Sequence, residues 1–483
     1  MADLVIRKKN EVFLRVECDP HIKHELQDQF TFDVPGAKFM PQYRNKYWDG
    51  KIRLFNMDRG EIYCGLIDKL QVFCERYSYT FEFEENKHYG LPYEENDSFS
   101  EEGVRDYLTT ISKYKPRDYQ VEGVTDALRR NRRLLISPTA SGKSLMIYSI
   151  CRYHVENNRK VLLIVPTTSL VEQMHKDFED YGWDAEKYCY KIYGGAPRDA
   201  EKSVIISTWQ SIYKLDRKWF SNFEVVIGDE AHQFKSKSLV NIMTKMADTK
   251  YRYGFTGTLD GTQTHKWVLE GLFGPSYKII STKKLQDAGY LAKLNIKVLL
   301  MKHDPQKFDT YEDEVQYIIN SEKRNKFIKN LAHDLKGNTL ILYSRVATHG
   351  QVLFDLINIG NRKVFFVHGG VDAQEREEVR RITETEKDAI IVASFGTFST
   401  GINIKNLHNI IFASPSKSRI RTLQSIGRVL RKGNNKVSAT LFDIADDTKK
   451  GSRNNYTLNH LIERIKYYNE EKFNYEILQI KIG

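Results

Sequence analysis

The sequence predicts an α/β protein with two doubly wound parallel sheets in tandem, a small α+β domain before them and a helical tail after them. Three observations predict it. From Tyr114 onward, short apolar runs alternate with helix-length segments, the pattern of strands buried on both faces and joined by crossover helices. The rhythm stops at the polar stretch Lys302–Thr310 and then restarts, which makes two series rather than one large sheet. The chain of 483 residues also has room for about three domains at roughly 150 residues each.

The elements follow in order. VFLRVEC near Val12 reads as a strand and IKHELQDQF near Ile22 as a short helix, with a turn signal at Pro35-Gly36. From Phe81 to Glu102 eight acidic residues accompany one lysine; clustered charge with Gly and Pro marks a domain edge. The first strand series is LLIS at Leu134, VLLIVP at Val161, VIIS at Val204, VVIGDE at Val225 and YRYGFTGT at Tyr251. The second is TLILYS at Thr339, VFFVHGG at Val364, AIIVAS at Ala389, NIIFAS at Asn409 and ATLFDI at Ala439. No short-period repeat accompanies them, which excludes a solenoid. DDTKKGSRNN near Asp446 reads as a linker. Beyond it Leu458, Leu461, Ile462, Ile465 and Tyr468 share a helical face, which is expected to pack on a domain. The expected divisions are 1–96, 97–286, 287–446 and 447–483.

Composition narrows the classes. Hydrophobic residues make up 41% and charged residues 28%, a globular balance that excludes a disordered or collagen-like chain. No apolar run approaches the roughly 20 residues needed to span a bilayer, and the N-terminus has no secretory pattern. The five cysteines form no CxxC pair, so neither a zinc site nor a disulfide framework is indicated, and a reducing cytoplasm is expected. Net charge is +11, which suits a polyanionic partner.

Ser137-Pro138-Thr139-Ala140-Ser141-Gly142-Lys143-Ser144 follows a strand and precedes a helix. Small residues such as Thr139, Ser141 and Gly142 let backbone N–H groups converge on phosphates, and the helix N-terminus adds its dipole. Lys143 can reach the β/γ oxygens and Ser144 can hold Mg²⁺. The first glycine of the usual phosphate loop is Ser137 here. Asp229-Glu230-Ala231-His232 ends the strand VVIG, where ligands of open α/β sheets bind. Asp229 is placed to support the metal and Glu230 to orient or deprotonate a water. In the second series Gln424-Ser425-Ile426-Gly427-Arg428-Val429-Leu430-Arg431 lies in a stretch, Pro415 to Lys436, with seven basic residues and no acid. A nucleotide held between two domains needs a cation from the far side. An arginine finger contributes about 10³–10⁵ in rate, or about 4–7 kcal/mol.

Together these fragments resemble the motifs of superfamily-two helicases over about 330 residues, in matching order. Arg117-Asp118-Tyr119-Gln120 looks like the adenine-reading segment. Segments containing Thr167, Thr208 and Thr400 look like those that grip a strand by its phosphates. His232, Thr256 and Thr258 look like the residues coupling hydrolysis to movement, and Tyr343-Ser344-Arg345 keeps the family's order. The match is closer to the phage UvsW-type helicases, through Tyr43–Leu54 and the terminal EKFNYEI at Glu471. The resemblance implies two RecA-like domains, ATP and Mg²⁺, and a motor acting on forks, R-loops, four-way junctions and RNA–DNA hybrids. It also implies a monomer, in a host cytoplasm, that contacts recombination or single-strand-binding proteins.

Lys38 to Arg53 holds five basic residues, one acid and four aromatics. Tyr43, Arg44, Trp48, Lys51 and Arg53 are candidate nucleic-acid contacts: cations bind phosphates, and rings stack on bases at about 1–3 kcal/mol each. Two other readings stand beside this one. Tyr47 and Trp48 can form a small buried core, and Asp49-Gly50 can be a hairpin turn. Rival functions are a translocase subunit of a restriction or remodelling complex and an annealing or binding protein that does not separate strands.

Overall fold

The computed structural model describes residues 2–85, 87, 89, 98–199, 201–401, 404–432 and 436–482. Part of the acidic edge segment, residues 86, 88 and 90–97, lies outside them. The chain forms two compact units, Met1–Ser137 with Gly142–Ile279, and Pro138–Ser141 with Ile280–Gly483.

The first unit opens with β1 (Leu4–Lys8), β2 (Phe13–Cys18), the helix Pro20–Gln29, β3 (Thr31–Asp33), β4 (Lys51–Arg53), β5 (Phe55–Asn56), β6 (Glu61–Tyr63), the helix Ile67–Tyr77 and β7 (Phe81–Phe83). Proline at the first helical turn starts Pro20–Gln29, where its missing N–H costs nothing. Five strands form a mixed sheet in the order β5-β6-β2-β1-β7, and β3 pairs with β4 apart from it. This portion does not pack by itself. Phe30 and Phe32 lie against Trp267, with ring centroids 5.4 and 5.1 Å away. Gly65 abuts the Glu270 carbonyl so closely that a Cβ has no space. Lys8 pairs with Glu11 at 2.8 Å, and Glu11 pairs with the buried Arg132. One hydrophobic core therefore runs from Leu4 to Phe273.

The unit's large sheet comprises β8 (Arg132–Ile136), β9 (Val161–Val165), β10 (Cys189–Ile192), β11 (Val204–Thr208), β12 (Val225–Gly228), β13 (Tyr251–Thr256) and β14 (Ser276–Lys278). Their order is β10-β11-β9-β12-β13-β8-β14, and every neighbour pair is parallel. Every residue of β9, β11 and β12 is buried, as continuous apolar strands covered on both faces require.

The second unit's sheet comprises β15 (Lys293–Lys302), β16 (Thr339–Tyr343), β17 (Val364–Val367), β18 (Ile390–Ser394), β19 (Asn409–Phe412), β20 (Ser438–Asp447) and β21 (Tyr475–Lys481). The order is β17-β18-β16-β19-β20-β15-β21, again all parallel. The tail helix, Tyr456–Glu470, buries Leu461 and Tyr468 but leaves Ile462 exposed. The tail does not end as a helix: β21 adds to the sheet beside β15. Buried ion pairs tie helices to β20. Arg324 donates to both Asp446 oxygens at 2.8 and 3.0 Å, and Arg464 and Tyr468 both reach Asp443. No described helix is long and apolar enough to cross a membrane.

Candidate active site

Strand order places the sequence-predicted residues of the first unit on one edge. Thr256 stands level with Ile136, Gly228 with Ile164, and Thr208 with Val165. The loop after β8, the acid pair after β12, Thr256, Thr167 and Thr208 therefore share the carboxyl ends of adjacent strands, where open α/β sheets bind ligands.

The phosphate loop leaves β8 with the Ser137 amide bonded to the Thr256 carbonyl at 2.9 Å. Ala140 (φ 67°) and Gly142 (φ 81°) both take left-handed backbone; that conformation is strained for alanine and free for glycine. A Cβ on Gly142 would strike the Gln120 amide. Gln120 is buried, and its Oε1 accepts the Arg117 N–H at 2.9 Å, closing the cap of the helix Asp118–Arg129. Arg117 Nη1 donates to Tyr119 Oη at 2.7 Å. Thr139 is half-buried and Ser141 buried. Lys143 and Ser144 open the helix Lys143–Glu156. Ser144 Oγ lies 2.6 Å from Tyr181 Oη, a partner that carries no motif in the sequence.

Asp229 is buried, and burial pushes its carboxyl up to about 6 against the pull of Lys143. The Glu230 N–H donates to its Oδ1 at 2.9 Å. Glu230 sits at φ 49°, strained backbone of the kind that gathers at functional sites. Its two oxygens face different partners: Lys143 Nζ at 3.4 Å and His232 Nδ1 at 3.3 Å. His232 Nδ1 also lies 3.1 Å from Thr256 Oγ1, which donates to the Thr258 carbonyl at 3.0 Å. Thr256 spends its proton there and is left to accept from Nδ1–H, so Glu230 and Thr256 both face the same nitrogen of His232. Buried His265 holds the His232 carbonyl at 2.9 Å and Asp260 at 2.9 Å; sequence reasoning missed it. Thr167 Oγ1 caps the helix Thr168–Tyr181 through the Leu170 N–H. Thr208 is buried, its hydroxyl 2.9 Å from Ser211 Oγ.

In the second unit Gln424 and Arg428 share one face of the helix Arg419–Val429, which Ser418 caps. The Arg428 guanidinium lies 5.8 Å from the Phe398 ring centroid, and Arg431 bridges back to Leu291. Arg345, just past β16, pairs with Glu312 at 2.5 Å. Thr400 lies on the helix Phe395–Gly401; its side chain, with Ile402 and Asn403, is outside the described residues.

The N-terminal stretch between β3 and β4 shows which residues are buried. Tyr47 is 85% and Phe39 75% exposed, so a small buried core is not what they form. Trp48 is half-buried and donates from Nε1 to the Lys51 carbonyl at 2.8 Å. Tyr43 packs against Gly50. Asp49-Gly50 does not turn a tight hairpin; it leads into β4, which pairs with β3 across a long connection. Arg53 is held by Asp49 at 2.5 Å, whereas Arg44, Lys46 and Lys51 are exposed.

Residues 3–84 match the family "DNA helicase UvsW, N-terminal". Residues 113–261 match "Type III restriction enzyme, res subunit" and 322–433 "Helicase conserved C-terminal domain". The ATP-dependent DNA helicase UvsW of Enterobacteria phage T4 is 34% identical over 97% of this chain and 98% of its own. The crystal structure of T4 UvsW covers 100% of both chains at 33% identity, with a TM-score of 0.53. A fragment of an HsdR subunit of a type I restriction enzyme from Vibrio vulnificus shares the fold at 17% identity, covering 78% of this chain and 71% of its own, with a TM-score of 0.58. With nearly its whole length aligned at this identity, and its phosphate loop and acid pair on one sheet edge, the chain belongs to the UvsW family of ATP-dependent DNA helicases, within superfamily two.

Proposed function

We propose that the protein is an ATP-driven motor that remodels branched DNA (forks, R-loops and four-way junctions), with RNA–DNA hybrids among its substrates. The observation that carries this reading is the chain Lys143–Glu230–His232–Thr256 at the carboxyl edge of the first sheet. Arg117 and Gln120 read the adenine. The loop amides around Thr139, Ser141 and Gly142 take the phosphates, and Lys143 turns from Glu230 to the β/γ oxygens. That exchange frees one Glu230 oxygen to hold the attacking water while His232 keeps the other in place. Loss of the terminal phosphate is then felt at His232, and through Thr256 at Thr258.

Ser144 and Asp229 fit a magnesium ion. They offer a hydroxyl and a buried carboxylate whose raised pKa reports uncompensated charge, and hard cations take oxygen ligands. When bound, the ion offsets charge on the β and γ phosphates. Arg428 and Arg431, with Gln424, supply cations and a hydrogen bond from the second unit during turnover.

On the nucleic acid, Thr167 is occupied as a helix cap, so strand contact falls to the backbone N–H groups of the turn it starts. Thr208 begins the corresponding turn after β11, and in the second unit the contact falls to Thr400, in the last turn of the helix Phe395–Gly401. Tyr43, Arg44, Trp48, Lys51 and Arg53 frame an exposed cation-and-ring surface for the branch. Opening a base-pair step costs about 1.4 kcal/mol. Moving a branch re-forms one pair for each broken, so the motor mainly supplies direction. The five free thiols suit a reducing host cytoplasm. The test is strand separation of a four-way junction, a fork and a blunt duplex with ATP. Turnover-dependent resolution of the junction and fork is expected. Annealing without ATP-dependent separation would favour the binding-protein rival.

A further inference from the structure

A cleft of about 450 Å³ in the second unit lies between the helix Thr282–Asp287, the start of β15 and the turn that leads into β21. Lys283, Lys293 and Lys472 line it with Asn295, Asn474 and one acid, Asp287. Lys283 is paired with Asp287 at 2.9 Å. Lys293 and Lys472 are exposed and have no carboxylate partner among the described residues. The turn is fixed in place. Lys472 sits in left-handed backbone (φ 58°), the Phe473 N–H bonds to the Tyr468 carbonyl at 2.9 Å, and Thr282 Oγ1 donates to Glu471 at 3.2 Å. The apolar lining, Leu294 and Phe473, is buried, so no open ring waits for a base.

The position of the cleft decides which DNA it can serve. Asn295 stands level with Thr440, Thr440 with Asn409, and Asn409 with Thr339. Tyr343, which ends β16, is four residues further along, and Lys293 two residues back. At about 3.3 Å per residue, Lys293 lies about 20 Å along the strand axis from Tyr343. The segment of this unit read as gripping a strand, around Thr400, follows the carboxyl end of β18; the cleft opens at the amino ends. A strand gripped at the carboxyl edge does not run through it.

We propose that this cleft is a phosphodiester site for a second arm of the branched substrate, held away from the translocated strand. Lysine ammonium groups act as point charges that read charge and not sequence, and contacts to phosphate position a nucleic acid without specifying it. The inference rests on the branched-DNA reading above. It predicts that a junction gains contacts here that a single strand does not.

The test is the full-length double variant Lys293→Glu/Lys472→Glu, measured by anisotropy over a sodium chloride series on a four-way junction and on a single-stranded oligonucleotide. Both side chains are exposed, and a matched reversal before the amino ends of β16 and β18 in the same sheet, Lys336→Glu/Lys387→Glu, controls for net charge. The pocket variant is expected to lose about tenfold in junction affinity, and its salt slope to flatten by about two units. Single-strand affinity and strand-stimulated ATP turnover stay as in wild type, and the control keeps its junction affinity. Unchanged junction binding in the pocket variant, equal loss on the single strand, or equal loss in the control each overturns the site. A wild-type protein that binds the junction no more tightly than the strand overturns the branched-DNA reading with it.

Discussion

Ser144 and Tyr181 share a 2.6 Å hydrogen bond across two helices. A serine hydroxyl that gives a lone pair to a metal must direct its proton elsewhere, and the phenol fixes that direction. Burial raises the Tyr181 pKa far above its usual value, so the phenol stays neutral at working pH. Outer partners of this kind typically govern about 10–100-fold in metal affinity. Tyr181→Phe is therefore expected to weaken nucleotide binding about tenfold in magnesium and to leave binding in a chelator unchanged; titration with a fluorescent nucleotide reads both. Ser144→Ala provides the comparison, since an unaltered magnesium dependence there would remove serine from the metal site. The pair was not legible in the sequence because Tyr181 belongs to no motif and lies 37 residues downstream. Lys143, Asp229 and Glu230 were legible because a phosphate loop and a strand-end acid pair each need their residue types at fixed local spacing.

At the scale of elements, continuous apolar runs located β9, β11, β12, β16 and β19 because strands covered on both faces have no polar period. β15 and β21 were not marked. KLNIKVLLMK alternates, and YEILQIK is mostly exposed at the sheet edge; pairing with distant segments, not local pattern, makes them strands. The exposure of Phe39 and Tyr47 excludes a buried core for the aromatic cluster between β3 and β4 and leaves their rings open to a ligand. Phe39→Ala/Tyr47→Ala is expected to weaken binding to a branched substrate by about tenfold while leaving ATP turnover on saturating single strand unchanged; a loss of turnover with intact binding would assign these rings to the motor. The helix Arg419–Val429 carries Gln424 and Arg428 one turn apart. Arg428→Ala should lower single-turnover hydrolysis by about a thousandfold with little change in ATP affinity. The reverse split, weak ATP binding with a normal rate, would make Arg428 a binding group.

For the whole molecule, the N-terminal strands and the first large sheet share one core, so the exposed basic cluster is carried by the same body that holds Lys143 and Glu230. Each unit also buries a neutral histidine. Burial, aided by Arg159, pushes His154 down to about 3, and burial, aided by Arg324, does the same to His349. Their usual value is about 6.5, so the unfolded chain takes up protons that the folded one refuses. The stability they contribute is complete above about pH 6.5 and is lost as pH falls toward 3. The slope is about 1.4 kcal/mol per pH unit for each histidine. Melting curves between pH 7 and 4.5 should fall accordingly, and His349→Gln should flatten the decline in the second unit; a melting temperature flat over that range would contradict the burial.

In the proposed cycle Lys143 leaves Glu230 for a nucleotide whose hydrolysis is coupled to DNA. Steady-state ATP turnover, with and without single-stranded and junction DNA, measured on wild type and Lys143→Ala, tests it most directly. DNA-stimulated turnover in the wild type, abolished in Lys143→Ala while DNA binding persists, is the predicted result. Turnover in Lys143→Ala equal to wild type, or wild-type turnover indifferent to DNA, would contradict it.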